Sequence, residues 1–255
     1  MYEAFLRRKE ANRVTLSSGV SVGLPLRCLD WTGIIAHFPA PLAGVRNLLP
    51  SRKLRPVEIS PGTAILSLAA IEYRRLGDIS PYNEVAIMTP VLHKPLLNIP
   101  ALPFLFPGWF RSAGFFVYQM PVTTQEACEL GEMVWGYPTV VADIAFEEID
   151  DVRRCRLCVG GEDVLTLDVE QGPAKIRRID YRVYTIKEDR LLRHTIQTEG
   201  LYYLSLLSGH ASFTLGDHPI AEELRRLGVG SRAISRVFAG NASSLLYEAD
   251  KRSPM

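Results

Sequence analysis

The chain has 255 residues, 47% of them hydrophobic, and 29 Lys plus Arg set against 28 Asp plus Glu give a formal net charge of +1. That apolar fraction supports a large core, while the near-neutral balance leaves no basic face of the kind that grips nucleic acid. No run reaches the about 18 continuous apolar residues of a spanning helix, and the polar start MYEAFLRRKEANR lacks a secretory signal's apolar region, so a soluble, cytoplasmic protein with no membrane partner is expected.

In chain order, CLDWTGIIAHF (28–38) reads as a strand and PAPLAGVRNLLP as a short helix. In that helix Leu42, Val45, Leu48 and Leu49 share a face and Pro50 marks the stop. GTAILSLAAIEYRR (62–75) and YNEVAIMTPVLH (82–93) are long apolar or alternating runs joined by the turn-rich LGDISP. They predict a hairpin buried on both faces. KPLLNIPALPFLFPGWFRSAG (94–114) is dense in proline, Phe and Trp, which forbids a regular helix and weakens any strand. It reads as an irregular apolar loop that covers a pocket, meets another subunit, or packs on its own domain.

FFVYQMPV (115–122) is another strand and runs into TTQEACELGEMV, where Thr123 and Glu126 have the spacing of a capping box. That helix ends near Trp135 and Gly136, and Pro138 forces a new element. Strands follow at 139–149, in a 152–170 hairpin around Gly160 and Gly161, and at 178–187, 191–199, 201–207 and 210–216. DHPIAEELRRLGV is an amphipathic helix with Asp217 or His218 at its cap, Pro219 at its first position and Gly228 past its end. RVFAGNASSLLYEA is the last strand. Many long strands with two or three helices, not in βαβ alternation, predict an α+β fold. Its sheet is an antiparallel β-barrel or cone-like closed sheet with a few flanking helices, in a single domain over 1–255.

Four cysteines are too few for a disulfide scaffold. Cys155 and Cys158 form a lone C-x-x-C, but in a strand residues three apart face opposite sides, and neither a second cysteine pair nor a nearby His completes a zinc site. The five histidines are scattered, so no metal site is expected. No nucleophile elbow, phosphate loop or dinucleotide fingerprint occurs, and nothing calls for a cofactor.

Three separated stretches, in this order, resemble the acetoacetate decarboxylase superfamily: SPYNEVAI (80–87), GEMVWGYPTVV (131–141) and SGHASFTLGDHPIAEELRRLGV (208–229). The second is similar to that family's Gly-Arg-Glu-x-x-Gly-(Phe/Tyr)-Pro-Lys-Lys. The resemblance runs from about residue 28 to the end. It implies a barrel or cone with flanking helices, a homo-oligomer, and a small carboxylic or oxo acid as partner. The family's lysine just after the Gly-(Phe/Tyr)-Pro corner forms an imine with a 3-oxo acid, an electron sink for decarboxylation.

In this sequence Thr139 and Val140 stand where the motif has its two lysines, and Glu132 and Met133 where it has Arg and Glu. Neither a threonine hydroxyl nor a valine can form an imine. An ungapped comparison back from Pro50 puts Trp31 at the family's active-site arginine. The resemblance therefore implies a divergent member without the Schiff-base lysine.

The resemblance implies that Glu84 lies in the pocket, where burial would raise its pKa and suit it to acid/base work. The structural alternative is a carboxylate paired with Arg74 or Arg75. Tyr82, Tyr118, Trp135, Tyr137 and Thr139 are the expected ligand contacts, and each is equally a candidate for plain core. Lys94 is a candidate relocated nucleophile and more simply a surface lysine. Two functions stay open: binding of a small acid, with lyase- or isomerase-type chemistry on Glu84 if it is catalytic, or a non-catalytic oligomeric binding or interaction module on the same fold.

Overall fold

Seven long strands close into a ring. They are β3 (Leu26–Pro41), β6 (Thr63–Leu76), β7 (Tyr82–His93), β8 (Ala113–Val122), β13 (Lys175–Lys187), β14 (Arg190–Leu206) and β16 (Ser235–Leu246). Their order around the barrel is β7-β6-β3-β16-β14-β13-β8, and β8 returns to β7. Neighbours in the ring are antiparallel except β13 and β8, a short parallel contact at Val183–Phe115 and Tyr184–Phe116. These relations come from a computed structural model that describes residues 6–95, 99–206 and 210–254, without the side chains of 251–254. Residues 96–98 of the apolar loop, 207 of the predicted strand at 201–207, and 208–209 of the 208–229 segment lie outside the described residues.

Shorter pieces decorate the ring. β1 (Asn12–Thr15) and β2 (Ser21–Leu24) form a hairpin. β4 (Leu54–Pro56) and β5 (Glu58–Ser60) extend the edges of β7 and β6, and β9 (Thr139–Val141) lies parallel to β8. A second sheet holds β10 (Asp143–Ile149), β11 (Val152–Val159), β12 (Glu162–Glu170) and β15 (Ala211–Leu215), and β17 (Asp250–Pro254) pairs with β14. Helices α1 (Leu42–Leu48), α2 (Leu102–Leu105), α3 (Gln125–Leu130) and α4 (Pro219–Leu227) flank the sheets.

The 62–93 hairpin is apolar on both faces because each face meets a different core. Outward residues of β3, β6 and β7, among them Phe38, Leu66, Leu68 and Ile87, pack against Ile144, Leu157 and Leu167 of the second sheet and Leu224 of α4. Each such side chain contributes on the order of 1.5–3 kcal/mol by leaving water. The inward residues, together with Leu16, Val22 and Leu24 of the first hairpin and Leu130 and Trp135, form the other core.

Several predicted elements differ in detail, and the apolar loop expected to hold no regular helix carries the single turn α2. The stretch 139–149 is two strands, because the chain leaves the barrel at Ala142, whose N–H bonds to Val122, and joins the second sheet. The stretches 191–199 and 201–207 are one strand with a bulge between Gly200 and Tyr202. Thr124 rather than Thr123 caps α3: its hydroxyl accepts the Ala127 N–H at 3.2 Å, while Thr123 accepts the N–H of Asn83 at 2.9 Å and ties the helix start to β7. The cap of α4 is His218, whose ring accepts the Ile220 N–H.

Candidate functional site

The barrel is not filled by its side chains. A cavity of about 510 Å³ lies inside it, and on β7 the residues Tyr82, Glu84, Ala86, Met88 and Pro90 all face it, as the period of two requires. The corner that follows α3 closes the end near Tyr82: Leu130, Gly131, Trp135 and Tyr137 line the wall there. The other end opens between the α2 turn, with Phe104 and Leu105, and the end of β14, with Leu204 and Leu206. Leu105 and Leu206 are 45% and 55% exposed, which marks that end as the mouth.

The corner has a local cause. After α3 the backbone widens into a π-helical turn, Gly131–Trp135, and Gly136 ends it in the left-handed region at φ 63°. A Cβ at Gly136 would meet that of Lys187 at 2.8 Å, so glycine serves both the conformation and the close approach. The Lys187 ammonium donates to the carbonyls of Glu132 and Met133, satisfying the turn's C-terminal end. Thr139 begins β9 facing the cavity, but its hydroxyl donates to the Cys128 carbonyl at 3.1 Å and accepts from the Cys128 thiol at 3.3 Å. It ties the strand back to α3.

Glu84 sits in mid-ladder, opposite Ile71 of β6 and Val122 of β8, and is buried. Among the described residues no side chain or backbone group bonds its carboxyl. Arg74 instead pairs with Glu72, which also accepts Arg153 at 2.6 Å. Burial alone pushes Glu84 up to about 8. A neutral carboxyl facing empty space can donate a hydrogen bond or a proton to whatever enters.

The shell around it is aromatic. Tyr73 stacks at a tilt on Tyr82, with centroids 4.7 Å apart, and Trp31 stands 6.4 Å from Tyr73 and 6.2 Å from Tyr202. Tyr73, Tyr82 and Tyr137 are all held well above the ordinary phenol range, first by burial and then by Glu84, so they stay protonated. Tyr137 shares a 2.6 Å hydrogen bond with Nε2 of His194, a ring that burial lowers to about 3 and keeps neutral. The Trp135 indole donates to the Tyr247 carbonyl at 2.8 Å, so that polar tip is already used.

Five of the six residues expected from sequence, Tyr82, Glu84, Trp135, Tyr137 and Thr139, line this one cavity. Tyr118 does not. Its hydroxyl donates to Glu223 of α4 at 2.7 Å, on the face of β8 turned to the outer core. Lys94 is exposed and takes no part in the wall, and among the described residues no lysine lines the cavity. Sequence reasoning missed Tyr73, Tyr181, Thr198 and Tyr202, which also line it. Their signal was the inward parity of their strands, readable only once the register is known. Near the mouth, His37 bonds Ser67 at 2.7 Å and lies edge-on to Phe104 at 5.1 Å, and burial lowers it to about 4.

The cavity, the corner and the strand order can now be set beside known proteins. The acetoacetate decarboxylase (ADC) family profile matches residues 14–248. No curated protein matches by sequence. A solved acetoacetate decarboxylase from Legionella pneumophila superposes with a TM-score of 0.66 at 14% identity, over 99% of this chain and 96% of that one. The enduracididine biosynthesis enzyme MppR, solved in complex with pyruvate, gives 0.63 at 14% identity, over 96% and 99%. An acetoacetate decarboxylase-like enzyme from Sphingomonas wittichii RW1 gives 0.55 at 13%, over 96% and 100%. At such identities these likenesses carry the fold alone. The profile match spans nearly the whole barrel, and the chain belongs to the acetoacetate decarboxylase family.

Proposed function

We propose that the barrel cavity binds a small apolar carboxylic or oxo acid and that no imine forms with it. The observation that carries this reading is Glu84, a buried carboxyl without a partner among the described residues, on the wall of a mostly apolar cavity. The absence of an imine is supported by Thr139 and Val140 at the corner and by a cavity wall without lysine among the described residues. The Thr139 hydroxyl is engaged by Cys128 and serves as structure. An oxo acid as ligand is consistent with the pyruvate complex of MppR.

If the bound acid reacts, Glu84 is the group to move the proton. Neutral below about pH 8, it can protonate a carbonyl oxygen or a developing carbanion, as enolisation, dehydration or a lyase step requires. The reading takes 1–255 as one acetoacetate decarboxylase-like domain. Exposed Trp109, Phe106 and Leu206 support assembly into a homo-oligomer. The alternative is a non-catalytic oligomeric binding or interaction module on the same fold, and the 510 Å³ cavity favours a small ligand over a partner protein as what it binds.

Ala86→Phe tests the binding role. The new ring occupies the cavity, so calorimetric titration with pyruvate, 2-oxobutanoate and longer 2-oxo acids should give saturable heat with the parent chain and none with the variant. Equal binding by both would place the ligand elsewhere.

A further inference from the structure

We propose that this cavity takes its ligand uncharged: a carbonyl compound with an extended apolar body, its carbonyl oxygen on the floor near Glu84 and its body reaching the mouth. This rests on the binding role given above and narrows it: an acid enters in its neutral form, and a carbonyl compound without a carboxylate is preferred.

Among the described residues the floor offers hydrogen-bond donors and no cation. Trp31 lines it with its ring, while the indole N–H is buried in the wall and not open to the cavity. Glu84 is protonated there, and the phenols of Tyr73, Tyr82 and Tyr181 surround it. The charged residues that border the cavity are turned away from it. Asp180 and Arg182 alternate along β13 with the inward Tyr181 and Val183, so their side chains face out. Arg236 is bonded to Glu170 at 2.9 Å and lies 5.4 Å over the Tyr203 ring.

A carboxylate brought to this floor would meet a carboxyl and no counter-charge. An unpaired buried charge costs several kcal/mol or more, so an acid entering here would first take up a proton, or would leave its anionic end outside. A ketone or ester oxygen, by contrast, accepts from the Glu84 hydroxyl and brings no charge to be neutralised.

Size and lining describe the rest of the molecule. The volume of about 510 Å³ lies in the range of roughly 300–1,000 Å³ that encloses drug-sized ligands, and a three-carbon acid would fill only a small part of it. From floor to mouth the wall is apolar, through Ala86, Met88, Val117 and Ile35, and ends at Leu105 and Leu206. An apolar body has contact along that whole length.

The titratable groups that face Glu84 are Cys28 from β3, Tyr73 from β6, Tyr82 from β7, Tyr137 from the corner and Tyr181 from β13. The Cys28 thiol is pushed up to about 12, chiefly by burial, and burial also raises Tyr181. The carboxyl is thus the group whose charge changes between pH 6 and 9.

Three matched probes test the proposal by calorimetry: 2-oxo-4-phenylbutanoic acid, its methyl ester, and 4-phenyl-2-butanone. At pH 7 the ester and the ketone should each bind at least tenfold more tightly than the acid. Ketone affinity should fall several-fold from pH 6 to 9, with no such fall in Glu84→Gln. An acid that binds tenfold better than its ester would overturn the uncharged mode while leaving acid binding intact. Heat from none of the three would overturn both.

Discussion

Among the described residues nothing bonds the buried Glu84 carboxyl, and that has a cost readable in stability. Folding raises the group from an ordinary value of 4.5 to about 8. Between those values the folded chain keeps a proton that the unfolded chain has released. Stability is therefore full below about 4.5, falls as pH rises towards 8, and is level beyond. At about 1.4 kcal/mol per unit the loss is several kcal/mol. Denaturant titrations at pH 5 and 8.5 should show the parent chain losing stability relative to Glu84→Gln, and parallel profiles would mean that the carboxyl is solvated or paired. Glu84, Tyr137 and Thr139 were legible in the sequence because they lie in short motifs whose spacing survives divergence. Tyr73, Tyr181 and Tyr202 were not, since each is one aromatic among many until its strand is placed in register. Tyr118 misled for the same reason: its strand was found, but its face was not.

At the scale of elements, helix and strand signals were readable where they are local. His218, Pro219 and Gly228 bound α4 as the sequence predicts. Thr123 and Thr124 are adjacent hydroxyls, and which one caps α3 depends on Asn83, a contact 40 residues away in the chain. The bulge in β14 was hidden similarly. At Gly200 a Cβ would lie 2.5 Å from the Cα and Cβ of Ala242 on β16, so the close approach of two strands, rather than a turn, requires the glycine. Gly200→Ala should cost about 1–3 kcal/mol through overpacking, with the denaturation midpoint lowered and the slope unchanged. An unchanged midpoint would show that β14 and β16 yield there without cost.

For the molecule as a whole, the closed sheet was predictable from many long strands without βαβ alternation, but the strand pairing that shuts it was not. The ring shuts through a parallel contact of β13 with β8, whose partners are nearly 70 residues apart in sequence. Nothing local encodes that register, and the register decides that the inward aromatic residues leave a cavity. The corner that opens β9 lines the closed end of the cavity, while its first strand residue bonds back to α3. The central claim is that an acid held in this cavity makes no covalent bond to the chain. Its most direct test is borohydride reduction in the presence of an oxo acid shown by titration to bind, followed by the intact mass. The expected result is the unmodified mass at saturating ligand. A gain equal to the reduced adduct, mapped to a lysine, would contradict it and establish an imine from a residue outside the corner.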